Sequence, residues 1–238
     1  MANFELLYFA GADELALRVA NMWLDEIESA DREGKPHCVA LSGGRIAQKF
    51  FAATVEQAKL RKISFERVHF FWADERCVPP DDPENNFKLA NELLFAPLKI
   101  PASQIHRIRG EDSPEIAAKL AKKELRRFAP GKNSQPVLDL IFLGMGKDSH
   151  VASLFPDASP EIANCAAPFL FIKNSPKPPP KRITLSYDAI AAARQVWVLV
   201  SGAGKAAALR DSLRPEGRTP LARVMLTRSR TKIFSDIT

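Results

Sequence analysis

The stretch Val137-Leu138-Asp139-Leu140-Ile141-Phe142-Leu143-Gly144-Met145-Gly146-Lys147-Asp148-Ser149-His150 decides the fold. Its first half is a near-continuous apolar run. Its second half is a Gly-x-Gly turn followed by an acid, a hydroxyl and an imidazole. A strand with one wet face alternates apolar and polar residues, whereas an unbroken run belongs to a parallel strand covered on both faces. Working outward, the same unit recurs. Cys38 to Leu41 is a short apolar run that stops at Ser42-Gly43-Gly44, and a helical pattern with Ile46, Phe50, Phe51 and Val55 on one face follows. Val68 to Trp72 reads as a strand that enters a polar, proline-rich loop, Asp74 to Asn86, and then a helix through Leu94. Val196 to Val200 is another buried strand, ending at Ser201-Gly202 and opening a helix through Leu213.

The flanks read the same way. Phe4 to Phe9 predicts a strand, and Asp13 the N-cap of a helix with Leu15, Val19, Met22, Trp23 and Ile27 on one side. Pro114 to Phe128 predicts a helix with Ile116, Leu120 and Leu125 inward. Phe169 to Ile172 and Arg182 to Leu185 are strand candidates, separated by the extended, four-proline segment Ser175 to Lys181. Lys232 to Phe234 suggests an edge strand. Strands alternating with helices predict an α/β fold, a doubly wound, mostly parallel and Rossmann-like sheet with helices on both faces. No repeat, low-complexity tract or linker interrupts the pattern, so residues 1–238 are expected to form one α/β domain.

The composition is that of an ordinary globular chain. A net charge of +6 and a pI near 9.3 invite a nucleic-acid reading. The Lys and Arg residues are spread along the chain, however, and the mild cluster from Arg210 to Lys232 lacks interleaved aromatics. An anionic small substrate fits better than nucleic acid. Cys38, Cys77 and Cys165 are too few and too scattered for a disulfide framework. No signal peptide or bilayer-length apolar run is visible, which sets the expectation of a cytoplasmic protein without a membrane partner. Oligomeric state is not legible, and a monomer is the default.

Ligands of open α/β sheets bind beyond the carboxyl ends of the strands. Four strands here end in polar or glycine-rich segments: Ser42-Gly43-Gly44, Asp74-Glu75-Arg76, Gly144 to His150, and Ser201 to Lys205. Parallel strands would gather all four at one rim. The Ser42-Gly43-Gly44 turn suits an anion, because glycines let backbone N–H groups approach it at a helix start. It is neither a Walker A loop nor a nucleophile elbow. Lys205 could reach the same anion, or be a plain surface lysine. Arg182 could grip a phosphate, or sit solvated at a strand edge. His150 is the candidate general base and Asp148 its orienting acid. Asp74, Glu75 and Arg76 could contact sugar hydroxyls or form an internal ion-pair set, and the sequence supports both equally.

These residues together resemble the 6-phosphogluconolactonase family, which shares a fold with glucosamine-6-phosphate deaminase. The resemblance runs from about Leu41 to the C-terminus. Its strongest stretch is Asp139 to Pro156, where Gly144-Met145-Gly146-Lys147-Asp148-Ser149-His150-Val151-Ala152-Ser153-Leu154-Phe155-Pro156 is similar to G-M-G-x-D-G-H-T-A-S-L-F-P. Asp74-Glu75-Arg76-Cys77-Val78-Pro79 with Asn85-Asn86-Phe87, Pro176-Lys177-Pro178-Pro179 with Arg182 to Leu185, and Gly202 to Ala206 also look like the family. The resemblance implies hydrolysis of a phosphorylated sugar lactone, with His150 activating water and Asp148 supporting it. It implies that Ser42, Gly43, Gly44, Arg45, Arg182 and Lys205 hold the phosphate. Asp74, Arg76, Asn86 and Lys177 would complete the pocket. It implies no metal or organic cofactor.

Three departures stand out. The family glycine between the acid and the histidine is Ser149, the following threonine is Val151, and the S-G-G-S-T-P turn continues here as Arg45-Ile46-Ala47. They bear on rate and substrate more than on reaction class. Related deaminases carry a glutamate after the histidine, in A-F-N-E-P, where this chain has Ala152-Ser153-Leu154-Phe155-Pro156 without an acid. A lactonase is therefore expected over an aminosugar-phosphate deaminase or isomerase. A non-catalytic phosphosugar-binding protein is the third reading.

Overall fold

The computed structural model describes residues 4–131 and 135–237. From the N-terminus, β1 (Phe4–Tyr8) leads into α1 (Ala12–Arg32), β2 (His37–Leu41) into α2 (Arg45–Arg61), and β3 (Val68–Trp72) into a short β4 (Asp74–Arg76). Then follow α3 (Asn86–Ala90), a π-helical turn at Asn91–Phe95, α4 (Ala96–Leu98), α5 (Pro114–Phe128) and β5 (Leu140–Gly144). After α6 (Pro160–Ala163) come β6 (Phe169–Ile172), β7 (Arg182–Leu185), α7 (Tyr187–Ala192) and β8 (Gln195–Val200). The described chain ends with α8 (Ala206–Leu213), α9 (Pro220–Leu226) and β9 (Thr231–Ser235).

Six strands form one sheet in the order β1-β9-β8-β5-β2-β3, and every neighbouring pair is parallel. From β2 the chain winds outward to β3. It then crosses back to β5 and winds the other way through β8 to β9. The winding reverses between β2 and β5, and a crevice forms at such a switch point beyond the strand ends.

Helices cover both faces. On one, Trp23 of α1 packs against Phe142 of β5 at 5.2 Å, Phe50 of α2 at 5.5 Å and Phe70 of β3 at 6.3 Å between ring centroids. Trp23 is fully buried, and its indole N–H donates to His37 Nε2 at 3.2 Å. On the other face, Phe128 of α5 lies 4.5 Å from the His69 ring, and His106 stacks on Phe71 at 4.6 Å. His69 and Phe71 alternate with Phe70 along β3, as the period of a strand requires.

Four local expectations are corrected. Asp74 to Arg76 is not loop but the edge of a second, antiparallel sheet in the order β4-β7-β6. Nothing apolar marks those three charged residues as a strand; their partner Arg182–Thr184 supplies the ladder from far along the chain. Lys232 to Phe234 is no edge, since β9 lies between β1 and β8. On α5 the buried side is Ala117, Ala121 and Leu125, while Ile116 and Leu120 face outward. Small alanines let that helix approach the sheet closely. The N-cap of α1 is Gly11, and Asp13 falls in the first turn, where its charge complements the helix dipole.

Glu75 ties the second sheet to the next helix. Its fully buried carboxyl accepts N–H bonds from Arg76 and Asn86 at 2.8 Å and from Phe87 at 2.9 Å. Burial pushes this carboxyl up to about 8, against the pull of the three N–H groups. Glu75→Leu removes both acceptor oxygens and leaves these N–H groups unpaired. The expected cost is about 1–3 kcal/mol for each group left unpaired, with a fall in Tm of about 2–4 °C for each kcal/mol in a chain of this size. A thermal melt followed by circular dichroism checks this, and an unchanged Tm contradicts it.

Candidate active site

A cleft of about 130 Å³ opens where the winding reverses. Ser42, Gly43, Gly44 and Arg45 line it from the end of β2, and Asp74, Arg76 and Asn86 from the segment after β3. Gly144, Met145, Gly146 and His150 contribute from the end of β5, and Ala152, Arg182 and Lys205 complete the wall. Ten of the twelve expected residues therefore share one cavity. Asp148 and Lys177 do not line it; they stand behind His150.

The wall over β2 depends on absent side chains. Gly44 sits at φ +100°, a conformation open to glycine. A Cβ on Gly43 would collide with the Asn86 carboxamide, which in turn donates to the Asp74 carbonyl at 2.9 Å. The start of α2 has no side-chain cap, so its first N–H groups face the cleft region unclaimed by a cap. The Ser42 hydroxyl donates instead to the Phe142 carbonyl at 2.8 Å, bridging β2 to β5. Its one hydrogen is used there, so Ser42 shapes the turn more than it faces the cleft.

Four cations, Arg45, Arg76, Arg182 and Lys205, line the cavity against one carboxylate, Asp74. Lys205 is held below the usual lysine range by burial and by the charges of Arg45 and Lys177, with Asp236 opposing. Arg76 donates to the Glu84 carbonyl at 2.7 Å, and its buried Nε has no hydrogen-bond partner among the described residues. Arg182 is buried and wraps the proline loop, donating to the carbonyls of Pro179 at 3.0 Å, Pro178 at 3.1 Å and Lys177 at 3.3 Å. The expected free fork for a phosphate is thus largely engaged with that loop.

At the other end stands the imidazole. His150 Nδ1 lies 2.6 Å from Asp148 Oδ1, and Lys177 Nζ lies 2.8 Å from the same oxygen and 3.2 Å from Nδ1. A carboxylate at that distance requires the proton on Nδ1, which leaves the Nε2 lone pair as the basic one. Burial lowers the affinity of His150 for a second proton, and Lys177 adds to this while Asp148 and Asp74 oppose it. Burial raises the Asp148 carboxyl, but Lys177 and His150 outweigh it and hold it at about 2. The imidazole is neutral and the carboxylate ionised at neutral pH. Gly146 makes the turn possible, since a Cβ there would strike both the His150 ring and the Asp148 carboxylate.

Sequence reasoning missed three supports. Ser153 is fully buried and donates to Asp74 Oδ2 at 2.6 Å, with Arg182 3.4 Å from its hydroxyl. Phe155 packs on His150 with ring centroids 4.9 Å apart, and the Arg182 guanidinium lies over the Phe155 ring at 5.8 Å. Met145 lines the cleft. All three fall inside the long motif, which was the only available signal. A larger cavity, about 460 Å³, lies at the opposite end of the sheet beside His37, Cys38, Asp139 and Gln195. Its Arg194–Asp139 and Lys35–Glu33 charges pair with each other at 3.0 and 2.6 Å, and burial pushes the Cys38 thiol up to about 12. It carries no comparable chemistry. Among the described residues no group of three or more His, Cys, Asp or Glu side chains could hold a metal ion, and no helix is long and apolar enough to cross a membrane.

Comparison with known proteins gives a consistent picture. A family model described as glucosamine-6-phosphate isomerases/6-phosphogluconolactonase matches residues 10–233. The 6-phosphogluconolactonase of Mycobacterium tuberculosis is 40% identical over 157 residues, covering 64% of this chain and 63% of that protein. A probable chloroplastic 6-phosphogluconolactonase 3 of Oryza sativa subsp. japonica is 38% identical over 211 residues, covering 86% of this chain and 64% of that one. The match thus spans just under two thirds of the length of these relatives. The crystal structure of 6-phosphogluconolactonase from Thermotoga maritima superimposes with a TM-score of 0.81 at 30% identity, covering 98% of both chains.

Ser149, the residue between acid and imidazole, adopts φ +63°. A left-handed conformation strains a side chain with a Cβ. Ser149→Gly is expected to stabilise the protein by about 1 kcal/mol, a rise in Tm of about 2–4 °C. Calorimetry checks this, and a lower Tm would contradict the strain.

Proposed function

The chain belongs to the glucosamine-6-phosphate isomerase/6-phosphogluconolactonase family, and from that premise we propose that it hydrolyses 6-phospho-D-glucono-1,5-lactone to 6-phosphogluconate in the pentose phosphate pathway. The observation that carries the proposal is a neutral, Asp148-oriented imidazole sharing one cavity with four cations. A dianionic phosphate suits the cationic end, and a lactone carbonyl the imidazole end. Backbone N–H groups at the start of α2, with Arg45 and Lys205, are assigned to the phosphate. Asn86, Asp74 and Arg76 are assigned to the ring. The setting is cytoplasmic, with the phosphosugar as partner and the single chain as the working unit.

A lactone is an activated ester, so no covalent nucleophile is needed. His150 Nε2 takes a proton from water as the water oxygen bonds to the lactone carbonyl carbon. Charge collects on the carbonyl oxygen and is met by nearby N–H donors. The tetrahedral centre then collapses, the bond to the ring oxygen breaks, and the imidazolium returns its proton to that oxygen. Asp148 stabilises the imidazolium meanwhile. The bound phosphate contributes by fixing the ring in position. Deaminase chemistry asks for a further acid near the histidine. Here the adjacent position is the Phe155 ring, which supports the lactonase.

His150→Ala is expected to lower kcat/KM by about 100- to 10,000-fold while leaving 6-phosphogluconate binding intact, and near-normal turnover refutes the assignment. Because burial lowers the His150 pKa below 6.5, the base form persists into mildly acidic solution. The acid limb of kcat/KM is therefore expected below pH 6.5, and a limb above 7 contradicts it. Lys205→Ala should raise KM for the phosphorylated lactone by about tenfold or more, the loss of one charge-assisted bond, with little change for the unphosphorylated lactone. An equal loss for both substrates removes Lys205 from the phosphate.

A further inference from the structure

Lys177 does not sit where a phosphate ligand should. It reaches from the proline loop to the Asp148–His150 pair and does not line the cavity, though its charge is also felt by Lys205 in the wall. Its ammonium donates to the carboxylate oxygen that also takes the imidazole N–H, and it lies 3.2 Å from that nitrogen. We propose that Lys177 is a positioning residue which locks Asp148 onto His150 Nδ1 and electrostatically disfavours the imidazolium, so that the base stays neutral and its conjugate acid readily gives the proton to the departing ring oxygen.

The loop that carries Lys177 is itself held in place. The Ser175 hydroxyl donates to the Lys177 carbonyl at 2.9 Å and accepts from the Lys177 N–H at 3.2 Å. Arg182 gathers the carbonyls of residues 177 to 179. The ammonium is thus delivered from a braced backbone, although its side chain remains 40% exposed. Among the described residues, the charges that bear on the imidazole come from three segments. Asp148 lies on its own turn and Lys177 on the proline loop, while Asp74 acts from β4. Arg182 of β7 lies over the Phe155 ring, which also packs on the imidazole. Of these, Lys177 is the cation in direct contact with the imidazole. The same charge that weakens His150 as a base strengthens its conjugate acid, a trade that suits a reaction in which one group must do both. Lys177 helps to hold Asp148 ionised against burial, and the same charge acts on the imidazole beside it.

Two measurements on the full-length chain test this, with Lys177→Met removing the charge at similar volume and Lys177→Arg retaining it. The first is an NMR titration of the His150 ring. Lys177→Met should raise the His150 pKa by about one unit, the effect of a unit charge at this separation under strong solvent screening, and Lys177→Arg should restore most of the shift. The second is the pH profile of lactone hydrolysis, which rests on the lactonase reading. The acid limb should move up with the NMR pKa, and kcat should fall at least tenfold with KM within threefold. An unmoved His150 pKa in Lys177→Met overturns the proposal, as does a rise in KM alone for the phosphorylated lactone, which would return Lys177 to the phosphate. A shifted NMR pKa in a protein that hydrolyses no lactone would uphold the coupling and reject the reaction instead.

Discussion

β2 and β5 pair only through Val39 with Leu140 and Ala40 with Ile141, and then they part. Side chains secure both ends of this short ladder. Below it, the Asp139 carboxylate accepts the Cys38 N–H at 2.8 Å; above it, the Ser42 hydroxyl reaches the Phe142 carbonyl at 2.8 Å. Because the winding reverses at this seam, the chain leaves β2 and β5 in opposite directions, and a crevice opens beyond the strand ends. The glycine turn after β2 and the acid–imidazole turn after β5 open into that crevice from opposite sides. Gly43 and Gly146 let the two turns come close to Asn86 and to His150 without steric cost.

The cleft separates two electrostatic jobs over a short distance. At one end, cations stand with few acids to neutralise them, as suits a doubly charged group. At the other, burial strips water from an imidazole and keeps it neutral. The Phe155 ring touches both a cation and the base, since it packs on His150 and lies under the Arg182 guanidinium. Asp74, Ser153 and Arg182 form a second buried polar chain behind it, each polar atom answered by the next.

Strain and order meet in the turn that carries the imidazole. Ser149 and Ala152, on either side of His150 and Val151, both adopt positive φ. Residues with a Cβ hold that conformation only where the surroundings over-determine it. The isolated bridges of Val151 with Met145 and with Leu154 do so here, and so does the bond from Gly146 N–H to the His150 carbonyl at 2.9 Å. The resulting turn is compact and tightly bonded, which holds the imidazole at a fixed angle to the cleft.

The sequence alone was enough for most of what is written in short-range periodicity, the buried face of α5 excepted. Unbroken apolar runs identified the inner parallel strands, 3.6-residue spacing identified α1 and α2, and the polar segments after four strands located the rim. Ten residues of the cleft were named, most from those segments and the long motif, with Asn86 from the loop after β3 and Arg182 from the strand after the proline loop. Tertiary structure decided what periodicity does not encode. Asp74–Arg76 is a strand only because Arg182–Thr184 lies alongside it, and β9 is internal only because β1 closes outside it. Arg182 turned toward the proline loop, and Lys177 toward Asp148 rather than toward the cleft. A hydrogen-bond partner is set by three-dimensional proximity between distant segments, and residue type and spacing leave that choice open.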